Sequence, residues 1–415
     1  MWFEHLSAQL AQREAARLTR RLRVATSGTA PHQLVLGVDG REREMLMFCS
    51  NDYLGLASHP AISRALSEGA RQWGGGSGAS PLVSGHTAAH EAVAQWLGSA
   101  YGACVPQARA LGFCTGYMAN LGVLTALGDA EAEFFCDQLN HASLIDGARL
   151  ARAAVHIYPH RDTAALADQL AASPSPRKLI VTDSVFSMDG DVAPLAELLA
   201  LAERHGALLV VDEAHAFGVL GPRGLGAVEA AGLRSERLVL VGTLGKAAGV
   251  AGAFVVAHER VLEYLLQTTR NYIFSTASPP LIEQAVLTAL RLIVGSEGQY
   301  RRAALRERIA QWRAGVQAVL DRHPELSWHL LDSQLPVQAL VLGDNAAAMR
   351  LSAALEIQGL SVPGIRPPTV PEGSARLRVT LCAAHTEADV DRLVSALARA
   401  AKTLGSFAQR LEHTA

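Results

Sequence analysis

Between about residues 60 and 260, short apolar β-rich runs alternate with longer Ala/Leu-rich helical stretches; the runs are FFCD, VHIY, KLIVTD, ALLVVD and RLVLVG. The alternation predicts an α/β architecture in which a mostly parallel sheet is covered by helices on both faces. KLIVTD and ALLVVDEAH each end in a carboxylate, which places Asp183 and Asp212 near the carboxyl ends of strands. In open α/β sheets that edge is where ligands bind.

Outside this region the pattern changes. Residues 2–24 read as an amphipathic helix, followed by the turn SGTAPH and a strand pair around QLVLGVDGREREMLMF, with Asp39-Gly40 as the hairpin signal. Beyond SPP at 278–280 the periodicity predicts long helices over 281–323, strand-like LVLGD, a helix over 346–358, strand-like RLRVTL and a closing helix over 386–404. The division expected is an N-terminal arm over 1–55, a large α/β domain over 56–285 and a smaller α+β C-terminal domain over 286–415.

A chain of 415 residues with 49% hydrophobic content is long enough for two or three domains with substantial cores. Its net charge of −2 removes the simplest case for nucleic-acid or membrane-surface binding, although the stretch from Arg13 to Arg23 is locally basic. Cys49, Cys104, Cys114, Cys136 and Cys382 are odd in number, scattered and without C-x-x-C spacing, so neither a disulfide framework nor a zinc site is expected. A cytoplasmic location fits this usage. No run has the 18 or so uncharged apolar residues of a membrane span.

Basic charge here is carried almost wholly by arginine; besides Lys178 and Lys402 the only lysine is Lys246, in the glycine-rich apolar run VLVGTLGKAAGVAGAFVV. An ammonium desolvated there loses its proton more readily and can form an imine with a carbonyl. A lysine snorkelling at a helix start is the plainer alternative. Asp212-Glu-Ala-His215 invites a nucleic-acid motor reading, but that needs G-x-x-x-x-G-K-[ST], and LVGTLGKAA does not supply it. The other reading pairs Asp212 with a protonated ring nitrogen and Lys246 with an aldehyde, the arrangement that pyridoxal phosphate requires. GFCTGYMAN, ending at Asn120, is a glycine turn leading into a helix and can cradle a phosphate, though such turns are also common for purely structural reasons. Thr243 can add a hydroxyl. His141 can stack on a planar ring; it, His215 and Ser187 can equally be satisfied polar groups. Arg378, on an apolar strand, needs an anionic partner, either a substrate carboxylate or an internal acid.

SNDYLGL (50–56), VSG (83–85), HAS (141–143), VFSMDGD (185–191), VVDEAH (210–215), GTLGKAAGVAG (242–252), FSTASPP (274–280) and IRPPTVPEGSARLRVTLCAAHT (365–386) resemble the α-oxoamine synthases, in that family's order and over nearly the whole chain. The resemblance implies a fold-type-I PLP-transferase-like enzyme that uses pyridoxal 5′-phosphate, is homodimeric, and has its sites at the subunit interface. The member it is most similar to condenses L-alanine with a pimeloyl thioester, carried by coenzyme A or acyl carrier protein, in biotin assembly. Carried over residue by residue, it implies a cofactor imine on Lys246, a pyridinium partner in Asp212 and a ring stacked on His141. Gly116, Tyr117, Ser187, His215 and Thr243 become further cofactor contacts, with Thr276 reaching the neighbouring subunit's phosphate. Arg378 would hold the amino-acid carboxylate, Thr369 would meet the acyl substrate, and Arg20 or the adjacent Arg21 would contact its chain. Two departures stand out: Leu82 where the family usually has His or Arg, and a helix after Gly85 that reads about one turn short. Both bear on acyl-chain specificity. The alternatives are a sister reaction with glycine or serine, and a catalytically idle scaffold that binds acyl carriers through the Arg-rich first helix.

Overall fold

The computed structural model describes residues 1–15, 18–20, 22–37 and 39–412. A seven-stranded sheet dominates it, in the order Ala108–Phe113, Ala253–His258, Leu238–Thr243, Leu208–Asp212, Arg177–Asp183, Ala132–Asp137, Ala154–Tyr158. All the expected apolar runs are strands here. Side chains of alternate positions enter two separate apolar clusters, Leu209 and Val211 one, Val210 the other, so the sheet is buried on both faces.

One strand departs from the parallel pattern. Ala253–His258 runs antiparallel to both neighbours. Only residues 244–252 separate it from the preceding strand, too few for the crossover that a parallel return needs. The chain therefore turns tightly at the sheet's edge. Leu244 N donates to Gly252 O at 2.8 Å and Gly249 N to Lys246 O at 2.9 Å. Gly249 has φ +67°, and a Cβ there would lie 2.4 Å from the Ala57 amide. Only glycine fits at this position.

The N-terminal helix is shorter than the sequence suggests. It covers Trp2–Ala15, buries no residue, and gives way to a short strand at Val24–Ala25. The Asp39-Gly40 hairpin is present, joining His32–Leu36 to Glu42–Met47. Glu42–Met47 also pairs in parallel with Leu360–Ser361, Thr380 N donates to Phe48 O at 2.8 Å, and Ala383 N to Tyr53 O at 2.8 Å. The helical stretch after SPP is two helices, Pro280–Val294 and Ser296–Arg322, divided at Gly295. A small antiparallel sheet carries Ala375–Thr380, packed by Asn345–Ile357, and the closing helix runs Glu387–Glu412. No helix among the described residues is long and apolar enough to cross a membrane.

Candidate active site

The tight turn after Leu238–Thr243 places Lys246 beside the end of the neighbouring strand, which closes on Asp212. Lys246 Nζ lies 2.8 Å from His215 Nε2. His215 Nδ1 lies 2.5 Å from the Tyr53 hydroxyl, which donates to Asn51 Oδ1 at 3.2 Å. Asn51 Oδ1 also receives Arg378 Nη2 at 3.4 Å. A line of hydrogen bonds thus joins Lys246 to Arg378.

Burial lowers the proton affinity of Lys246, although Asp212 and Asp183 oppose it. Burial, together with Lys246 and Arg378, drives His215 well below its ordinary value, so the imidazole is neutral and Nε2 can accept from Lys246. Burial pushes the Tyr53 hydroxyl up to about 12, which keeps it a donor. The lysine is therefore half-buried with its amine on an imidazole, not snorkelling.

A second network fixes Asp212. Its oxygens accept from Asn120 Nδ2 at 2.6 Å and Ala214 N at 2.8 Å. Asn120 Nδ2 also donates to Ser143 Oγ at 2.8 Å, which bonds His141 Nδ1 at 2.8 Å. Ser143 N donates to the same Nδ1, because His141 caps the helix Ala142–Leu150. Its neutral tautomer therefore carries the proton on Nε2. His141 N donates to Asp183 at 2.7 Å, which fixes the backbone while the residue stays exposed.

Asn120 lies one turn after Gly116, at the head of the helix Gly116–Leu127. Thr115 Oγ1 takes the Met118 amide at 3.1 Å, which leaves the preceding amides of Gly116 and Tyr117 for an anion. A Cβ on Gly116 would lie 3.5 Å from Thr243, so glycine keeps the space between this helix end and the threonine open. The Tyr117 hydroxyl donates to Asp146.

Arg378 is buried and donates to Ser187 O at 2.6 Å and Thr380 Oγ1 at 3.1 Å. Both are neutral, as is Asn51, and among the described residues no carboxylate pairs with it. Arg376, two residues earlier, is the arginine neutralised internally, by Asp189. Ser187 enters through its carbonyl.

Other expected residues lie elsewhere. Arg20 and Thr369 line a cleft of about 540 Å³ with Arg13 and Arg366. Arg21 lies outside the described residues. Thr276 is exposed, and its carbonyl accepts from Cys114 Sγ at 3.5 Å. Leu82 is half exposed in the turn Pro81–Gly85, before a 14-residue helix, Ala88–Tyr101. Sequence reasoning gave no role to Asn51, Tyr53, Asn120, Ser143 or Asp183. Their signal was placement only: Asn51 and Tyr53 in SNDYLGL, Asn120 closing GFCTGYMAN, Ser143 in HAS, and Asp183 at a strand end.

The family profile of aminotransferase classes I and II matches residues 43–397. The chain is 58% identical to the 8-amino-7-oxononanoate synthase of Cupriavidus metallidurans over 97% of its own length and 99% of the relative's. It is 57% identical to that of Leptothrix cholodnii, covering 97% and 100%. Among solved structures, serine palmitoyltransferase from S. paucimobilis with a bound PLP–myriocin aldimine superposes with a TM-score of 0.87 at 30% identity, covering 97% of this chain and 98% of that one. The 8-amino-7-oxononanoate synthase of Francisella tularensis gives 0.72 at 29% identity, covering 86% and 98%.

Proposed function

The chain belongs to the aminotransferase class I and II family, and on that premise we propose that it joins L-alanine to a pimeloyl thioester as an 8-amino-7-oxononanoate synthase of biotin biosynthesis. The products are 8-amino-7-oxononanoate, carbon dioxide and the free thiol of coenzyme A or an acyl carrier protein. One observation carries the reaction class. A half-buried amine, with a buried carboxylate near it, is joined through His215, Tyr53 and Asn51 to a guanidinium with only neutral protein partners.

The cofactor is pyridoxal 5′-phosphate, and the residues fit it. The opening that a Cβ on Gly116 would fill lies between a helix N-terminus and Thr243, suited to a phosphate. Asp212, acceptor-only in its two hydrogen bonds, suits a protonated ring nitrogen, and the exposed His141 imidazole suits a ring face. When bound, the cofactor supplies an aldehyde for an amine and a pyridinium that draws electrons from the substrate α-carbon.

Each side chain then has a task. Lys246, its basicity lowered by burial, takes the α-proton of alanine and later returns one. His215 steers that amine through Nε2, and Tyr53 fixes the His215 tautomer through Nδ1. Arg378 binds the amino-acid carboxylate in its planar fork. Ser187 and Thr276 are further cofactor contacts, the latter toward a neighbouring subunit of a homodimer. Arg20 and Thr369, across one cleft, take the acyl chain. The five free cysteines suit a reducing cytoplasm.

The test is a set of absorbance spectra with L-alanine, glycine and L-serine, each with and without pimeloyl-coenzyme A, followed by mass analysis of the product. A visible band that responds to alanine, with 8-amino-7-oxononanoate formed, is expected. A response to glycine or serine alone overturns the substrate assignment.

A further inference from the structure

The segment that holds Arg378 in place is itself held by a histidine outside the site. Residues 185–191 form a closed turn: Phe186 N donates to Asp191 O at 3.0 Å and Gly190 N to Phe186 O at 2.8 Å. From its tip, Ser187 O accepts Arg378 Nε at 2.6 Å, and Asp189 pairs with Arg376. From its base, Asp191 faces the sheet. There His160 lies between two carboxylates, Nδ1 at 2.9 Å from Asp137 and Nε2 at 2.8 Å from Asp191. Arg161 reaches Asp191 as well, at 3.2 Å, and its amide donates to Asp137 at 2.9 Å. The Phe186 ring stands edge-on to His160, centroids 4.4 Å apart.

Both ring nitrogens face acceptors, so both carry protons and the ring is an imidazolium. Burial opposes that charge, but the hydrogen bonds to Asp137 and Asp191 outweigh it and lift His160 to about 9. A surface ion pair would hold little; this one is only partly exposed and closes on two carboxylates at once.

We infer that His160 is a positioning residue for substrate recognition: by pinning Asp191 to the end of the Ala132–Asp137 strand, it fixes the 185–191 turn and, through the Ser187 carbonyl, the Arg378 guanidinium that receives the amino-acid carboxylate. The inference rests on the reading of Arg378 given above. Nothing in it requires His160 to touch substrate or cofactor.

The experiment compares holoenzyme with His160→Gln by spectral titration with L-alanine and with ethylamine, which has the amine but no carboxylate. In the variant the Kd for L-alanine is expected to rise about tenfold, the scale of one weakened charge-assisted hydrogen bond, with the Kd for ethylamine unchanged. Asp191→Asn, which keeps the shape and removes one charge, is expected to raise the L-alanine Kd about threefold on the same grounds. Unchanged alanine affinity in both variants overturns the inference, and so does an equal loss for both ligands, the mark of a turn that has simply collapsed. Wild-type enzyme that binds the two ligands equally well sinks the reading of Arg378 itself, and the inference with it.

Discussion

Asp183 and Asp212 stand directly opposite each other on adjacent parallel strands, both buried, as the last residues of Arg177–Asp183 and Leu208–Asp212. Burial, reinforced by the charge of Asp212, raises Asp183 well above the usual carboxylate range. Asp183 accepts the His141 amide, while Asp212 is the carboxylate proposed to face the ring nitrogen.

The pair therefore makes its own control. Asp212→Asn is expected to slow hydrogen–deuterium exchange at the alanine α-carbon by about a hundredfold or more, while Asp183→Asn changes it by no more than about threefold. Equal losses would remove the distinction between them.

Lys246→Ala should fold and lose turnover by about a thousandfold or more, because its amine is the group proposed to carry the α-proton. Thermal melting alongside a single-turnover assay checks both halves. Turnover near the wild-type rate would remove the lysine from the chemistry.

Arg378→Met leaves the Ser187 carbonyl and the Asn51 side chain without their guanidinium partner. KM for L-alanine is expected to rise about thirtyfold or more, with KM for the thioester within about twofold, the loss of charge-assisted bonds to one ligand only. Arg378→Lys should recover little of it, since a lysine has no planar fork.

Tyr53→Phe removes the partner of His215 Nδ1 at full burial. A stability loss of about 1 kcal/mol is expected from the broken hydrogen bond, with kcat lower by about tenfold as His215 loses its fixed tautomer. Urea denaturation and steady-state kinetics on one preparation measure both.

His385 gives a pH dependence of known sign. Its Nδ1 accepts the Cys382 amide at 2.9 Å, its Nε2 donates to Met47 O at 3.0 Å, and burial lowers it from the ordinary 6.5. Below 6.5 the unfolded chain takes a proton that the folded one refuses, so this residue's contribution is whole above 6.5 and is lost as the pH falls toward the folded value. Wild-type protein should lose more unfolding free energy between about pH 7.5 and about pH 5.5 than His385→Gln does.

Much of this could be read from the residues alone. The strands are apolar because both faces of the sheet are covered, so KLIVTD and ALLVVD announced themselves and their terminal carboxylates. Lys246 stood out because the chain uses arginine almost everywhere else. What stayed hidden depends on contacts between distant parts of the chain: 162 positions separate Tyr53 from His215, and 92 separate Asn120 from Asp212. An asparagine or tyrosine has no local pattern that reports such a partner. The antiparallel strand after Lys246 was missed for the opposite reason, since its apolar run looks like the others and only the short connection before it sets its direction.

The hydrogen bonds from Thr380 and Ala383 to Phe48 and Tyr53 give the site an order of assembly. Tyr53 and Asn51 are made early in synthesis, yet the strands and amides that seat them come from residues 360–383. A nascent chain can thus carry every central-sheet strand, and Lys246 with them, while the line of hydrogen bonds from Lys246 still lacks both its Arg378 end and the amide that holds Tyr53. The site is whole only when residues 360–383 have paired with residues 42–53.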